Sequence, residues 1–186
     1  MIVTKITDIA KLFWKEHIND RDIVLDATLG NGNDSLFLSK LVGSKGKVYS
    51  MDIQKKALDM TREKMDSSMS NINLIQDSHE NLDKYIKEKL SLVVFNLGYL
   101  PGENNEITTK SKSTLIALEK SMMLLKKGGI VSVAAYRGHD NGEEYIEVFK
   151  FLSTLDPKKY KVSLVNPINQ SERAPRLFLC QKMKED

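Results

Sequence analysis

Short apolar runs alternate along this sequence with segments in which apolar residues recur every three or four positions. The first pattern is typical of buried strands and the second of amphipathic helices. The run Ser91-Leu-Val-Val-Phe95 is apolar enough to be buried on both faces, as a central strand of a parallel sheet is. Parallel strands need a crossover between them, usually a helix. The alternation therefore predicts an α/β fold built on a parallel sheet.

The alternation places strands at residues 23–27, 47–51, 72–76, 91–95 and 130–135. Helices are expected at residues 4–18, 34–41, 54–65 and 80–90, around Leu118 with an end at Gly128-Gly129, and around Val148. Two last strand-like runs, 160–165 and 176–181, are joined without a helix, which favours antiparallel pairing. Five parallel strands plus an antiparallel C-terminal pair, with helices on both faces, is the Rossmann-like seven-stranded sheet of class I methyltransferases. A dinucleotide dehydrogenase is expected to add a sixth parallel strand instead.

The composition fits one domain, expected over residues 1–186, because 186 residues with 41% hydrophobic content can bury one core. A net charge of +3 permits a nucleic-acid partner without requiring one. The single cysteine, Cys180, excludes a disulfide framework or a thiolate metal cluster within one chain, and no metal is expected. We find no secretory signal pattern and no apolar run of membrane-spanning length, so a soluble, cytoplasmic protein is expected.

A glycine loop, Asp26-Ala-Thr-Leu-Gly-Asn-Gly-Asn-Asp34, follows the first strand. In an open α/β sheet, ligands bind beyond the carboxyl ends of the strands, where the strand order reverses. Gly30 and Gly32 allow a sharp turn and a close approach of the backbone to a ligand. Asn31 and Asn33 add polar contacts to the predicted cofactor site.

The second strand ends at Asp52, whose carboxylate can accept both hydrogen bonds of a ribose diol, with Gln54 beside it. NAD enzymes have an acid at the same position, so Asp52 cannot distinguish them from methyltransferases. The glycine loop distinguishes the two classes better. A dinucleotide fingerprint needs a third glycine and a helix N-terminus open to pyrophosphate. Here Ser35 takes the third glycine position, and the preceding Asp34 is expected to repel a pyrophosphate. S-adenosylmethionine brings an ammonium and a sulfonium instead, for which Asp26 and Asp34 are favourable, so it is the predicted cofactor.

Three of these polar positions also have purely structural interpretations. Asp34 can cap a helix, and Asp26 can be a buried, hydrogen-bonded acid. After the third strand, the run Asp77-Ser-His-Glu80 is placed to contact the adenine edge or its ribose, although Ser78 can equally be an N-cap.

The fourth strand ends in Asn96-Leu-Gly-Tyr-Leu-Pro-Gly102. This resembles the Asn-Pro-Pro-Tyr-type signature of amine-directed methyltransferases, in which the asparagine oxygen and a backbone carbonyl accept hydrogen bonds from the target amine. Two acceptors aim the nitrogen lone pair, so positioning supplies most of the catalysis. Asn96 is therefore a candidate catalytic residue, and it is also a predicted cofactor contact. Tyr99 is a second candidate catalytic residue, which can stack on an acceptor base, pack on the cofactor or fill a gap under the loop. The rest of the predicted acceptor pocket is Leu97, Gly98 and Leu100.

Further polar residues follow the fifth and sixth strands at the same edge. Tyr136, Arg137 and His139 follow the fifth, and His139 is a candidate proton acceptor near neutral pH, although a loop histidine is often only solvated. The connection 166–175 adds Asn169 and Arg173. Arg137 and Arg173 are suited to phosphate contacts.

A family resemblance joins these motifs. It is carried by 26–34, by Asp52-Ile-Gln54, by Phe95-Asn-Leu-Gly-Tyr-Leu-Pro101, by Ile107-Thr-Thr109, by Tyr136-x-Gly-His139 and by Asn169-Gln170. Together they resemble the tRNA 5-(aminomethyl)-2-thiouridine methyltransferase family over almost the whole chain.

The resemblance implies methylation of the primary amine on 5-aminomethyl-2-thiouridine at the tRNA wobble position, with the anticodon stem-loop as partner. It also implies a homodimer. The exposed part of the first helix is one candidate for the dimer surface, although its Phe13 and Trp14 are expected in the core. The cofactor contacts that the resemblance implies are Asn31, Asn33, Asp52, Gln54, Ser78 and His79, and residues 96–100 would line the acceptor pocket.

The sequence departs from the family pattern at Arg137, where a histidine is expected, and at Asn33, where histidine is common. Ser171-Glu-Arg173 also replaces a more proline-rich stretch. Two other functions stay open. One is an S-adenosylmethionine-dependent methyltransferase acting on rRNA, protein or a small-molecule amine, and the other is a non-catalytic RNA-binding module with the same fold.

Overall fold

Seven strands form one sheet in the computed structural model, which describes residues 5–98, 108–137, 140–172 and 174–184. The strands are β1 Ile23–Asp26, β2 Lys47–Asp52, β3 Ile72–Gln76, β4 Leu90–Asn96, β5 Leu125–Ala135, β6 Tyr160–Val165 and β7 Arg176–Lys182. Their order across the sheet is β3-β2-β1-β4-β5-β7-β6. The helices are α1 Ile6–His17, α2 Asn33–Val42, α3 Lys55–Lys64, α4 Leu82–Tyr85, α5 Ser111–Leu124 and α6 Glu143–Ser153.

Strand pairing confirms the predicted α/β fold. β1 pairs in parallel with β2 and β4, and β3 and β5 extend the sheet in parallel on either side. β7 is antiparallel to both β5 and β6, so β6 runs in the same direction as the first five strands. The predicted antiparallel pair is therefore present, and the 166–175 connection leaves the sheet at the carboxyl edge of β1 to β5.

Alternate residues of the strands are buried in cores on opposite faces of the sheet. In β1, Val24 packs with α1 and α2, whereas Leu25 faces the core of α5 and α6. Leu92 and Val93 of β4 divide in the same way, as the two-residue period of a strand requires. Helices thus cover both faces, and among the described residues no helix has the length and apolarity needed to cross a membrane.

The predicted helix at 80–90 is wrong beyond Tyr85. A 3₁₀ turn at His79–Asn81 leads into the single turn of α4, after which the chain is extended. The extended segment brings Glu88 to β2, where its carboxylate accepts hydrogen bonds from Lys47 Nζ at 2.7 Å and Tyr49 Oη at 2.9 Å. The hydrogen bond from Lys47 is the main reason that the pKa of Glu88 falls to about 2. Tertiary contacts thus override the helical pattern.

Gly128-Gly129 also differs from its predicted role as a helix end. α5 already ends at Leu124, and the two glycines lie in an irregular first part of β5, where Leu90 pairs with Leu125 but Leu92 pairs with Ile130. A Cβ atom at Gly129 would lie 2.8 Å from the Leu90 carbonyl oxygen, so glycine is needed for this close approach of two strands.

The first helix is held to the sheet through Trp14. Its indole Nε1 donates a buried hydrogen bond to Ser132 Oγ of β5 at 2.9 Å. Phe13, in contrast, is 44% exposed, so the prediction that it belongs to the core is wrong.

We predict that Trp14→Phe lowers the free energy of unfolding by about 2 kcal/mol, because it removes this hydrogen bond and part of a buried ring. Urea denaturation followed by circular dichroism measures the loss. Phe13→Leu is the matched control and should cost less than about 0.5 kcal/mol. Equal losses in the two variants would contradict the anchoring role of Trp14.

Candidate active site

A cleft of about 620 Å³, including its open mouth, lies at the carboxyl edge of β1 to β4. This volume is in the range of small-molecule sites. Its described lining comes from the glycine loop, the ends of β2, β3 and β4, and the start of the α5 region. The lining residues are Ala27, Thr28, Gly30, Met51, Asp52, Ile53, Gln54, Asp77, Ser78, His79, Asn96, Gly98, Thr108, Thr109 and Ser113.

The glycine loop turns tightly over the end of β1. Gly32 has a φ of 76°, a left-handed conformation that favours glycine. A Cβ atom at this position would also lie 2.4 Å from Thr61 Oγ1 of α3. The predicted need for a glycine at this point therefore has two causes, the backbone conformation and the packing of α3.

Asp52 fastens the glycine loop to the end of β2. Its two carboxylate oxygens accept hydrogen bonds from the Gly30 amide at 3.0 Å and from the Gln54 amide at 2.9 Å. Each oxygen of a carboxylate can accept more than one hydrogen bond, so both can still bind a ribose diol. The side chain is thus held in place before a ligand arrives, and both Asp52 and Gln54 line the cleft, as a cofactor site at this position requires.

Asp26 lies beneath the loop instead of lining the cleft. It is 1% exposed and accepts hydrogen bonds from Ser35 Oγ at 2.6 Å and the Thr28 amide at 3.2 Å. Burial, reinforced by the nearby Asp34 carboxylate, raises the pKa of Asp26 to about 7. The structural interpretation of this acid holds, and the predicted direct contact with the cofactor does not fit its burial.

Asp34 forms an ion pair with Lys11 of α1, with 2.9 Å between Oδ1 and Nζ. The N-cap of α2 is Gly32, and no side chain caps this helix, so Asp34 is not a cap. Because Lys11 neutralises Asp34, the repulsion of a pyrophosphate that the sequence predicts at this position is weaker than expected.

Two buried hydrogen-bond acceptors have no partner among the described residues. His79 Nδ1 lies 3.3 Å from the Ala27 carbonyl oxygen, so Nδ1 carries the hydrogen and Nε2 is left as an acceptor without a partner. Burial lowers the pKa of His79, which favours this neutral form. Asn31 Oδ1 is the second such acceptor. Asn31 is not among the residues that line the cleft, whereas His79 lies there with Asp52. The acceptors of His79 and Asp52 suit a ligand rich in N–H and O–H donors, such as a nucleoside that carries an ammonium group, better than a pyrophosphate.

The acceptor side of the cleft starts at the end of β4. The Asn96 amide donates to Thr28 Oγ1 at 2.7 Å, which ties β4 to the glycine loop, and Asn96 and Gly98 both border the cleft. Leu97 is 1% exposed and packs in the core, so its side chain does not fit the predicted substrate contact. The predicted site residues Tyr99, Leu100, His139 and Arg173 lie outside the described residues.

Other predicted residues surround the cleft at a greater distance. Tyr136 lies close to Gly98, since a Cβ atom on Gly98 would be 4.0 Å from its Cδ2. The Arg137 guanidinium lies 5.1 Å from the centre of the Tyr145 ring. Asn33 and Asn169 are exposed and do not line the cleft. Ser78 combines both of its interpretations, because its Oγ accepts from the Glu80 amide at the cap and the residue borders the cleft.

The sequence reasoning missed several lining residues, of which Ile53 is the most informative. It is 52% exposed between Asp52 and Gln54, and an exposed aliphatic side chain beside the ribose site can cover one face of an adenine ring. An apolar residue between two polar ones after a strand is the signal that could have found it. The other lining residues without a predicted role are Ala27, Thr28, Met51, Thr108, Thr109 and Ser113.

The strand order, the glycine loop after β1 and the acid at the end of β2 define an S-adenosylmethionine-dependent methyltransferase of class I. The acceptors in the cleft fit the ammonium group and the ribose of this cofactor. The chain belongs to the family described as "Putative rRNA methylase", whose model matches residues 48–181.

Individual relatives agree with this assignment. A tRNA (mnm(5)s(2)U34)-methyltransferase of Arabidopsis thaliana chloroplasts is 40% identical over 156 residues, which cover 77% of this chain and 57% of that protein. This chain therefore spans little more than half the length of that relative. A structure described as a putative rRNA-methylase from Clostridium thermocellum has a TM-score of 0.94 and 40% identity, covering 98% of this chain and 100% of that one.

A second solved structure bears on the cofactor. It is a putative methyltransferase from Streptococcus mutans in complex with SAH, with a TM-score of 0.89 and 35% identity. The alignment covers 98% of this chain and 100% of that one. S-adenosylmethionine as cofactor is thus supported by the fold, by the cleft and by a related structure.

The burial of Asp26 predicts a pH dependence of stability. Its raised pKa means that the folded protein holds a proton that the unfolded chain releases, so the free energy of unfolding falls as pH rises from about 4 towards 7, by roughly 1 kcal/mol per pH unit. Asp26→Asn keeps the volume and removes this titration. Its amide nitrogen can donate to Ser35 Oγ, which then donates to Ser50 Oγ. The variant should gain stability relative to the wild type as pH rises from 5 to 8.

Urea denaturation at both pH values measures this difference. Asp8→Asn, on the exposed side of α1, is the control and should follow the wild type. A parallel pH dependence in Asp26→Asn and the wild type would contradict the account of the buried acid.

Proposed function

We propose that this methyltransferase acts on the primary amine of 5-aminomethyl-2-thiouridine at the tRNA wobble position, converting it to the methylaminomethyl form. The observation that carries the proposal is the position of Asn96, at the end of β4 and bordering the same cleft as Asp52. When bound, S-adenosylmethionine supplies an electrophilic methyl group. An asparagine oxygen beside it can accept a hydrogen bond from an amine and so direct the nitrogen lone pair.

The similarity to the Arabidopsis tRNA methyltransferase supports tRNA as the substrate.

We also propose a homodimer, as the family resemblance implies. The apolar residues exposed on α6 and on the edge strand β6 support association of this face with another chain, because exposed apolar side chains favour burial in an interface. They are Ile146, Phe149, Val162 and Leu164.

Two arginines near the carboxyl end of β5, Arg137 after β5 and Arg176 at the start of β7, support an RNA substrate. Arg176 pairs in register with Ala135, and its guanidinium lies 5.3 Å from the Tyr145 ring centre, next to the 5.1 Å contact of Arg137. Among the described residues neither arginine forms an ion pair with a carboxylate. Arg137 follows β5, the strand next to Asn96, and Arg176 begins β7, one strand further along the sheet. Arg176 Nε donates to Asn166 Oδ1 at 2.7 Å. Guanidinium groups without a carboxylate partner at this edge of the sheet suit the phosphates that flank a bound nucleotide.

Nucleoside mass spectrometry of tRNA tests the proposed function. A deletion strain that has no redundant enzyme should lose 5-methylaminomethyl-2-thiouridine and accumulate the aminomethyl form. Unchanged tRNA nucleosides would contradict the proposal, and a methyl group lost from rRNA digests instead would favour the rRNA substrate.

We predict that Asn96→Ala abolishes methyl transfer while the affinity for S-adenosylmethionine stays within about twofold, because the side chain is assigned to the amine. Calorimetry measures the affinity, and single turnover with tRNA carrying the free aminomethyl group measures transfer. Asn73→Ala, at an exposed position of β3, is the matched control. Normal turnover in Asn96→Ala would show that the acceptor assignment is wrong.

We predict that Arg137→Gln and Arg176→Gln each raise KM for tRNA about tenfold and reduce the salt dependence of RNA binding, because each removes a phosphate contact. Initial rates at several tRNA concentrations measure KM, and fluorescence anisotropy at several salt concentrations measures RNA binding. Arg62→Gln, on α3 and paired with Asp59, removes the same charge away from this edge and should have little effect. Equal effects of all three substitutions would argue for non-specific attraction.

A further inference from the structure

A buried carboxylate lies behind the acceptor side of the cleft. Glu144, in the first turn of α6, is 1% exposed. Its Oε2 accepts a hydrogen bond from Thr109 Oγ1 and its Oε1 accepts one from Thr114 Oγ1, both at 2.6 Å. Nothing in the sequence pattern identifies this residue, which is separated from Thr109 by 35 positions. Glu144 therefore approaches the cleft through the Thr109 hydroxyl.

The Thr109 hydroxyl has one acceptor position that no described residue fills. A threonine hydroxyl has one hydrogen and two lone pairs. The hydrogen goes to Glu144, and one lone pair accepts from the Gly98 amide at 2.9 Å. The Thr109 amide donates to the Gly98 carbonyl oxygen at 2.9 Å, which fixes the residue beside the Asn96 segment. Since Thr109 borders the cleft, the second lone pair can accept from a bound substrate.

We propose that Glu144, acting through Thr109, accepts the proton that the substrate amine loses before methyl transfer. The inference rests on the proposed function, because it requires an amine substrate. An alkylamine has a pKa of about 10, so at neutral pH it is an ammonium without a lone pair.

The proton passes from the substrate ammonium to Glu144 in a relay of two transfers. An N–H bond of the ammonium breaks as its proton binds Thr109 Oγ1, and the original hydroxyl proton of Thr109 passes to Glu144 Oε2. The amine is left neutral with a lone pair, and Glu144 becomes a neutral acid that later releases its proton to solvent. No oxidant, reductant or metal takes part in this step.

Neighbouring acids are engaged elsewhere. The Asp140 carboxylate accepts from the amides of Gly142 and Glu144 at the start of α6, and Glu143 accepts from Ser111 at the surface. Within the described ranges, Glu144 is therefore the carboxylate that a hydrogen bond joins to a cleft residue on the acceptor side. The other titratable or charged groups on the described segments next to the pair in the chain are Asp140, Glu143, Arg137, Tyr136 and Lys110. His139 is tested below by substitution.

The test is the pH dependence of the single-turnover rate on a stem-loop carrying the free aminomethyl group. At pH 7, Glu144→Gln should lower the rate about 100-fold, the lower end of the range for general base catalysis. At pH 9.5, where free amine becomes abundant, the difference from the wild type should shrink to within about fivefold. Thr109→Val should behave like Glu144→Gln, whereas Thr109→Ser keeps the hydroxyl and should stay near the wild type.

The control is Glu147→Gln on the same helix, where Glu147 pairs with Lys150 at the surface, and it should leave the rate unchanged. A loss of equal size at both pH values would mean a purely structural role and overturn the relay. A pH-dependent loss of rate in His139→Gln, with no such loss in Glu144→Gln, would also overturn the relay. If Glu144→Gln does not fold, Thr109→Val decides in the same way.

A second measurement needs no turnover. With S-adenosylhomocysteine present, Glu144→Gln should reduce the binding preference for the aminomethyl stem-loop over the unmodified one about tenfold, because the ammonium loses its counter-ion. An unchanged preference overturns the relay. A wild-type protein that methylates no amine would overturn the proposed function and the relay together, whereas an active wild type with unaffected variants would overturn the relay alone.

Discussion

The parallel pairing of β1 between β2 and β4 is the constraint on which the site depends. It brings the carboxyl ends of three strands to one edge, so the glycine loop, Asp52 and Asn96 meet although they are far apart in the chain. Hydrogen bonds then lock these ends together. The Gly30 amide donates to Asp52, and the Asn96 amide donates to Thr28. The cofactor side and the acceptor side of the cleft are thereby built on one rigid frame.

The polar groups around this frame explain the kind of ligand that it binds. Asp52 and His79 Nε2 offer acceptors in the cleft, and His79 Nε2 is buried without a partner among the described residues. Such a lining stabilises ammonium and hydroxyl donors and is poorly suited to a pyrophosphate. The acceptor-rich lining, together with the reversed strand β7, distinguishes the site from a nicotinamide site more firmly than the charge of Asp34, which Lys11 neutralises.

The sequence predicted the features that depend on local pattern. Strand and helix order followed from hydrophobic periodicity, and Asp52 and Asn96 followed from their positions after buried strands. The predicted helix at 80–90 was wrong beyond Tyr85, where Glu88 bonds to β2, and the predicted role of Gly129 was wrong because β4 lies against it. The contact between Thr109 and Glu144 joins elements distant in the chain, so no spacing rule could indicate it.

The central claim is that cofactor and amine meet in this one cleft, and a crystal structure with S-adenosylhomocysteine and an aminomethyl-modified anticodon stem-loop tests it most directly. The account predicts the ribose diol on Asp52 and the amine nitrogen within about 3 Å of both Asn96 Oδ1 and Thr109 Oγ1. A modified uridine bound outside the cleft, or an amine that contacts neither residue, would contradict it.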